Sequence, residues 1–139
     1  MIIGNLVNGV VIDHIPAGRG MELYRLLKLD SLECEIALIK NAVSEKRGRK
    51  DILKIAQLEG LDFSILGYID SGITINYIEN GVRVKKYHPR LPDTIYDLIK
   101  CKNPRCITTV EQELPHVFKL TDPEARTYRC VYCQTPANR

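Results

Sequence analysis

Four cysteines in the last third of the chain fall as two short pairs, Cys101-x4-Cys106 and Cys130-x2-Cys133, with twenty-three residues between the pairs. Within each pair both sulfurs can reach one cation, and the long middle segment can fold back as a hairpin that joins the pairs. That spacing is a structural zinc signature. Zn2+ takes four thiolates tetrahedrally at about 2.3 Å, which leaves no open position for substrate or water. The metal is therefore expected to build a fold, not to perform chemistry. The competing reading is two disulfides or unrelated buried thiols. It is disfavoured because the chain shows no secretory n-region or h-region and is expected in the reducing cytoplasm. Four thiolates on one Zn2+ leave a net negative charge, and Lys100, Lys102, Arg105 and Arg129 flank the ligands. Those cations would offset the charge or form a patch for an acidic partner, and sequence leaves both open. Cys34, in an apolar alternation far from either pair, reads as a packed thiol.

A zinc module of that size favours two domains within 139 residues, here 1–92 and 93–139. The second is too small to fold on apolar burial alone, and apparent zinc-binding free energies of roughly 10–16 kcal/mol make up the difference. The net charge of +3, spread among seventeen acidic residues, does not suggest nucleic acid as a partner. No apolar run approaches the roughly twenty residues that span a bilayer.

Along the chain, Leu6 to Ile15 is rich in Val and Ile and closes on Pro16 and Gly18, which predicts a strand ending in a turn. From Gly20 to Leu29 the apolar residues cover a helix face. Glu33 to Val43 alternates as a second strand, and Ser44 to Lys50 is a polar, basic loop. Asp51 to Leu58 fits a helical stripe by periodicity, although Ile52 and Lys54 also alternate as in a strand. Asp62 is expected to cap a short helix through Ile69, ended by Ser71-Gly72. Ile73–Ile78 and Val82–Tyr87 flank Asn80-Gly81, a hairpin signal. Asp93 to Lys100 reads as a helix joining the sheet to the metal module.

The stretch Gly9-Val10-Val11-Ile12-Asp13-His14-Ile15-Pro16-Ala17-Gly18, the segment Gly48-Arg49-Lys50-Asp51-Ile52-Leu53-Lys54-Ile55 and the cysteine spacing occur in succession. Together they resemble the regulatory chain of aspartate carbamoyltransferase over nearly the whole length. The resemblance implies an α+β protein: a ferredoxin-like α/β sandwich at the N-terminus, followed by a small four-cysteine zinc-bound β domain. It places the G-R-K-D segment on a strand, giving the order βαββαββ. It also implies a non-catalytic subunit that pairs with itself as a regulatory dimer. Its zinc domain would dock on the catalytic chain, so that three dimers hold two catalytic trimers. CTP and UTP would inhibit, and ATP would activate, the first committed step of pyrimidine synthesis.

By the same resemblance, Asp13 would contact base or ribose, His14 would neighbour the phosphates, and Lys54 would donate to the base carbonyl and ribose. Lys86 would meet the triphosphate, Asn76 would be a further polar contact, and Leu6, Ile78 and Val82 would supply backbone groups and apolar walls. Without it, Asp13 and His14 are a turn-initiating pair, Lys54 a solvated stem, and Lys86 edge protection. Some positions depart from the family. Gly4 replaces an acidic residue, the given sequence begins almost at the first expected strand whereas many members carry a longer N-terminal arm, Gly81 stands where an aromatic is found, and Arg105 replaces a second Asn beside Asn103. A zinc-ribbon nucleic-acid binder is opposed by having only Tyr128 and Tyr132 for base stacking in the module. A free-standing nucleotide sensor is the other alternative. An enzyme is disfavoured, because the three histidines are dispersed and the metal shell is closed.

Overall fold

In the computed structural model, which describes residues 6–46, 48–111 and 113–137, the first Val/Ile-rich run forms β1, Gly9–Pro16. It is followed by α1 (Gly20–Leu26), β2 (Ile36–Ser44), β3 (Gly48–Ile55), α2 (Leu66–Ile69), β4 (Thr74–Glu79) and β5 (Val82–Tyr87). These make an antiparallel sheet in the order β2-β3-β1-β4-β5. The first four strands thus interleave as in a ferredoxin-like fold, with β5 added at the edge through a hairpin. Chain contacts divide the protein into two units, Met1–Arg90 and Leu91–Arg139. Gly4, one of the positions that depart from the family, lies outside the described residues.

One face of the first sheet carries the core. Val10 and Ile12 of β1, Leu53 and Ile55 of β3 and Ile75 of β4 pack with Leu23, Leu29, Phe63 and Leu66. The buried carboxylate of Asp51 ties this layer together. Its Oδ2 accepts the Gly18 and Gly20 N–H groups at 3.1 and 2.8 Å, and its Oδ1 accepts the Asn41 N–H at 2.9 Å. A Cβ at position 20 would stand 2.9 Å from this carboxylate and 2.6 Å from Leu38 Cδ1, so only glycine lets the helix start there undisturbed.

Several local expectations shift. The helix from Gly20 ends at Leu26, because Lys28 turns left-handed at φ 54° and Leu29–Ser31 tightens into a 3-10 turn. Ser44 pairs with Gly48, so most of the expected loop belongs to strands. The Asp62 carboxylate accepts the Ser64 N–H at 3.0 Å in a turn, and the helix proper is only Leu66–Ile69, with Ile65 at its N-cap. At the hairpin, Asn80 (φ 54°) and Gly81 (φ 77°) are both left-handed, and Glu79 pairs with Val82. That is the type I′ geometry that Asn-Gly favours.

The second unit contains β6 (Thr94–Tyr96), α3 (Ile107–Val110), β7 (Val117–Asp122) and β8 (Thr127–Cys130), with sheet order β6-β7-β8. The helix expected over Asp93–Lys100 is therefore a strand. Ile95 alone of its three residues is buried, inward-facing opposite Phe118 of β7, and β-branched Thr94 and Ile95 suit that pleat. Phe118, Tyr128, Cys106 and Cys130 are each 1% exposed, so two of the cysteines are themselves part of this small core.

Candidate functional site

The four cysteines converge. Their sulfurs all lie within 4.8 Å of one another, with Cys101 Sγ 3.5 Å from Cys133 Sγ and Cys106 Sγ 3.6 Å from Cys130 Sγ. A tetrahedral shell with metal–sulfur bonds of about 2.3 Å has edges of about 3.8 Å, and a disulfide would bring two sulfurs to about 2.05 Å. The spacing fits a shared cation. Asn103 shapes the first loop: its Oδ1 accepts the Arg105 N–H at 3.0 Å and its carbonyl accepts the Cys106 N–H at 3.1 Å. Hydroxyls stand beside two sulfurs, with Thr108 Oγ1 3.1 Å from Cys106 and Thr135 Oγ1 3.2 Å from Cys133. The Thr135 hydroxyl holds the Cys133 thiol down to about 6, and Thr108 lowers Cys106, whereas burial pushes Cys101 up to about 12 and also raises Cys130. A divalent cation would bind all four as thiolates, since a coordinating thiol is deprotonated outright.

A second constellation lies on the first sheet, on the face turned away from its helices. Cross-strand pairs share a face, and Ala37, Lys54, Val11, Asn76 and Lys86 are successive partners across all five strands. Lys54 and Lys86 are three inter-strand spacings apart, about 14 Å, and both are long enough to lean over the row. Asn76 and Lys54 are buried, whereas Lys86 is exposed. Asn76 Nδ2 donates to the Val11 carbonyl at 3.1 Å.

Beside this row β1 bulges between Ile12 and Ile15 against β3. The bulge re-aims Asp13 and His14. His14 is left-handed at φ 58°, its N–H donates to Asp13 Oδ1 at 2.6 Å, and its Nδ1 is 3.1 Å from Thr74 Oγ1. Lys50 Nζ pairs with Asp13 Oδ1 at 3.0 Å. Burial holds His14 below the ordinary imidazole value; Asp13 opposes this, while Lys50, Lys46 and Lys86 reinforce it. The arrangement is a cationic surface with one carboxylate and one neutral imidazole, suited to an anion attached to a hydrogen-bonding group.

Two family models divide the chain between them: the allosteric domain of the aspartate carbamoyltransferase regulatory chain matches residues 1–90, and the metal binding domain of the same chain matches residues 93–139. The chain belongs to the aspartate carbamoyltransferase regulatory chain family. Proteins named as aspartate carbamoyltransferase regulatory chains include one from Clostridium acetobutylicum, 47% identical over 96% of this chain and 91% of its own length. Others come from Clostridium tetani, at 47% over 96% and 93%, and Bifidobacterium longum, at 39% over 99% of both chains.

Within this regulatory chain, the structure brings Asp13, His14, Lys54, Asn76 and Lys86 onto one face. Leu6 and Ile78 lie at one end of it: Gly9 pairs with Ile78, and Leu6 Cδ2 lies 3.0 Å from where a Gly9 Cβ would stand. Val82 pairs instead with Glu79 at the hairpin turn, and Arg83 stands opposite Ile78. Sequence reasoning missed Lys50 and Lys46. Lys50 lies four residues before Lys54 on a strand, hence on the same face, so strand phase alone could have found it. Lys46 carries no such signal, because its nearness to His14 comes from the turn between β2 and β3.

Proposed function

We propose that this chain is the non-catalytic, nucleotide-sensing subunit of an aspartate carbamoyltransferase assembly. The observation that carries the reading is the cross-strand row Lys54–Val11–Asn76–Lys86 beside the Asp13–Lys50 pair and His14. A nucleoside triphosphate supplies the complementary groups: phosphates for Lys86, Lys50 and His14, and ribose hydroxyls for Asp13. Lys54 and Asn76 would serve the base and sugar, and Leu6 and Ile78 the flat apolar part. CTP, UTP and ATP are the ligands in view, with CTP and UTP inhibitory and ATP activating. Such control is a coupling free energy, in which the nucleotide that favours one quaternary state shifts the population toward it.

The division of labour assigns sensing to residues 1–92 and docking to residues 93–139. Zn2+ on Cys101, Cys106, Cys130 and Cys133 would hold the docking module and supply no reaction step, since a four-thiolate shell is closed. Two chains would pair as a regulatory dimer and link catalytic trimers, in the cytoplasm where free thiols persist. Among the described residues no helix is long and apolar enough to cross a membrane.

Sedimentation of the zinc-loaded chain with the catalytic trimer of the same organism tests the reading. A large complex that dissociates on chelation is expected. Two independent boundaries in the presence of zinc would reject the subunit role, and CTP binding without assembly would point to a free-standing sensor. In calorimetry, Lys54→Ala and Lys86→Ala are each expected to weaken CTP binding while leaving assembly intact.

A further inference from the structure

At the Leu6–Ile78 end of the same face, the neighbour across the hairpin is an arginine. Ile78 pairs with Arg83 and Asn76 with Lys86, the ladder slipping by one residue between them. Because paired residues share a face and Asn76 and Ile78 are two apart on β4, Arg83 and Lys86 both stand on the open face. Their partners Asn76 and Ile78 lie about 7 Å apart along β4. The two ends of this face differ in chemistry. The cations that act on His14 are Lys50, Lys46 and Lys86, which gathers positive charge at the bulge. The other end is bounded by Leu6, Ile78 and the backbone of Gly9, where a Cβ would collide with the Ile55 carbonyl. A phosphate chain belongs at the first end and a heterocycle at the second.

The open face offers that heterocycle no aromatic partner among the described residues. Tyr77 points to the opposite side, where it packs on the core and stacks with Tyr87, with ring centroids 6.1 Å apart. The planar group at this end is the guanidinium of Arg83, which is exposed. Guanidinium planes stack on aromatic faces and donate in a fixed fork, which an ammonium cannot do.

We propose that Arg83 is a base-contacting residue of this site, its guanidinium lying over the heterocycle of a bound nucleoside triphosphate. The inference rests on the nucleotide reading above. Calorimetry on the full chain with CTP, ATP and inorganic tripolyphosphate tests it, using wild type, Arg83→Ala, Arg83→Lys and Lys86→Ala. Arg83→Ala weakens CTP and ATP about 3- to 30-fold while tripolyphosphate changes less than about twofold. Arg83→Lys, which keeps the charge without the plane, restores only part of the loss. Equal losses for all three probes would make Arg83 a phosphate contact and overturn the proposal. Full affinity in Arg83→Lys would also overturn it, since a point charge would then suffice. Unchanged nucleotide affinity in Arg83→Ala, with weakened binding in Lys86→Ala, would remove Arg83 and leave the site reading standing. A wild-type chain that binds neither nucleotide sinks both.

Discussion

Asp51 is fully buried and accepts three backbone N–H bonds, from the turn after β1, the first residue of α1 and the bulged part of β2. Replacing it with Ala would leave those donors without an acceptor in the core, at about 1–3 kcal/mol for an unsatisfied group and more where the lost acceptor is charged. Asp51→Ala is therefore expected to destabilise the first unit by about 3 kcal/mol or more, read from urea unfolding. His14 gives a different kind of prediction. Its folded value lies below 6.5 chiefly through burial, so the unfolded chain takes up its proton first as pH falls. The associated stability is present above about pH 6.5 and is lost progressively below it. A bound polyphosphate favours the imidazolium, so nucleotide binding should take up a proton and tighten as pH falls from about 7.5 to 6. That slope should shrink in His14→Gln; an unchanged profile would take His14 out of the phosphate environment.

Among the elements, the β4–β5 hairpin depends on two left-handed residues, and Gly81 at φ 77° suits the conformation without a Cβ. The turn also holds the N-terminal segment, because the Gly81 N–H donates to the Val7 carbonyl at 2.9 Å and the Asn80 N–H to Asn8 Oδ1 at 3.1 Å. Gly81→Ala is expected to cost about 1 kcal/mol through αL strain, and to loosen Leu6 at the apolar end of the open face. Faster amide exchange at Asn80 and at position 81, whose N–H groups make these bonds, is the readout. Strand β3 explains an ambiguity of the sequence. Asp51 through Ile55 are buried on both faces, so polar and apolar residues do not alternate, and a continuous buried run is indistinguishable from a helical stripe by periodicity. β6 is the opposite case. Three residues carry too little pattern to outweigh helix formers nearby, and only pairing with β7 makes them a strand.

For the molecule as a whole, the two units differ in what holds them. Among the described residues, the first has a core of a dozen buried apolar side chains between sheet and helices, whereas the second has few and gathers its cysteines beside them. Chelation should therefore unfold residues 91–139 while the first unit keeps its structure and its nucleotide affinity, as followed by amide exchange and calorimetry. Cys106→Ala should abolish docking on the catalytic trimer and spare nucleotide binding. Normal assembly of that variant would refute the separation of roles.

The four-cysteine cluster and the hairpin are legible from the sequence alone, because both are written in short-range chemistry: four thiols at ligand spacing, and an Asn-Gly pair whose backbone preferences are local. The strand order was legible through resemblance, since β3 alone reads as helix. The grouping of Asp13, Lys54, Asn76 and Lys86 was decided by tertiary structure. These residues are far apart in sequence, and only the register of β3, β1, β4 and β5 places them in one row. The same register decided that Arg83, not Val82, faces Ile78. A slip of one residue reverses which side of a sheet a side chain occupies, and bulges such as those in β1 and β5 introduce that slip where no local sequence pattern announces it.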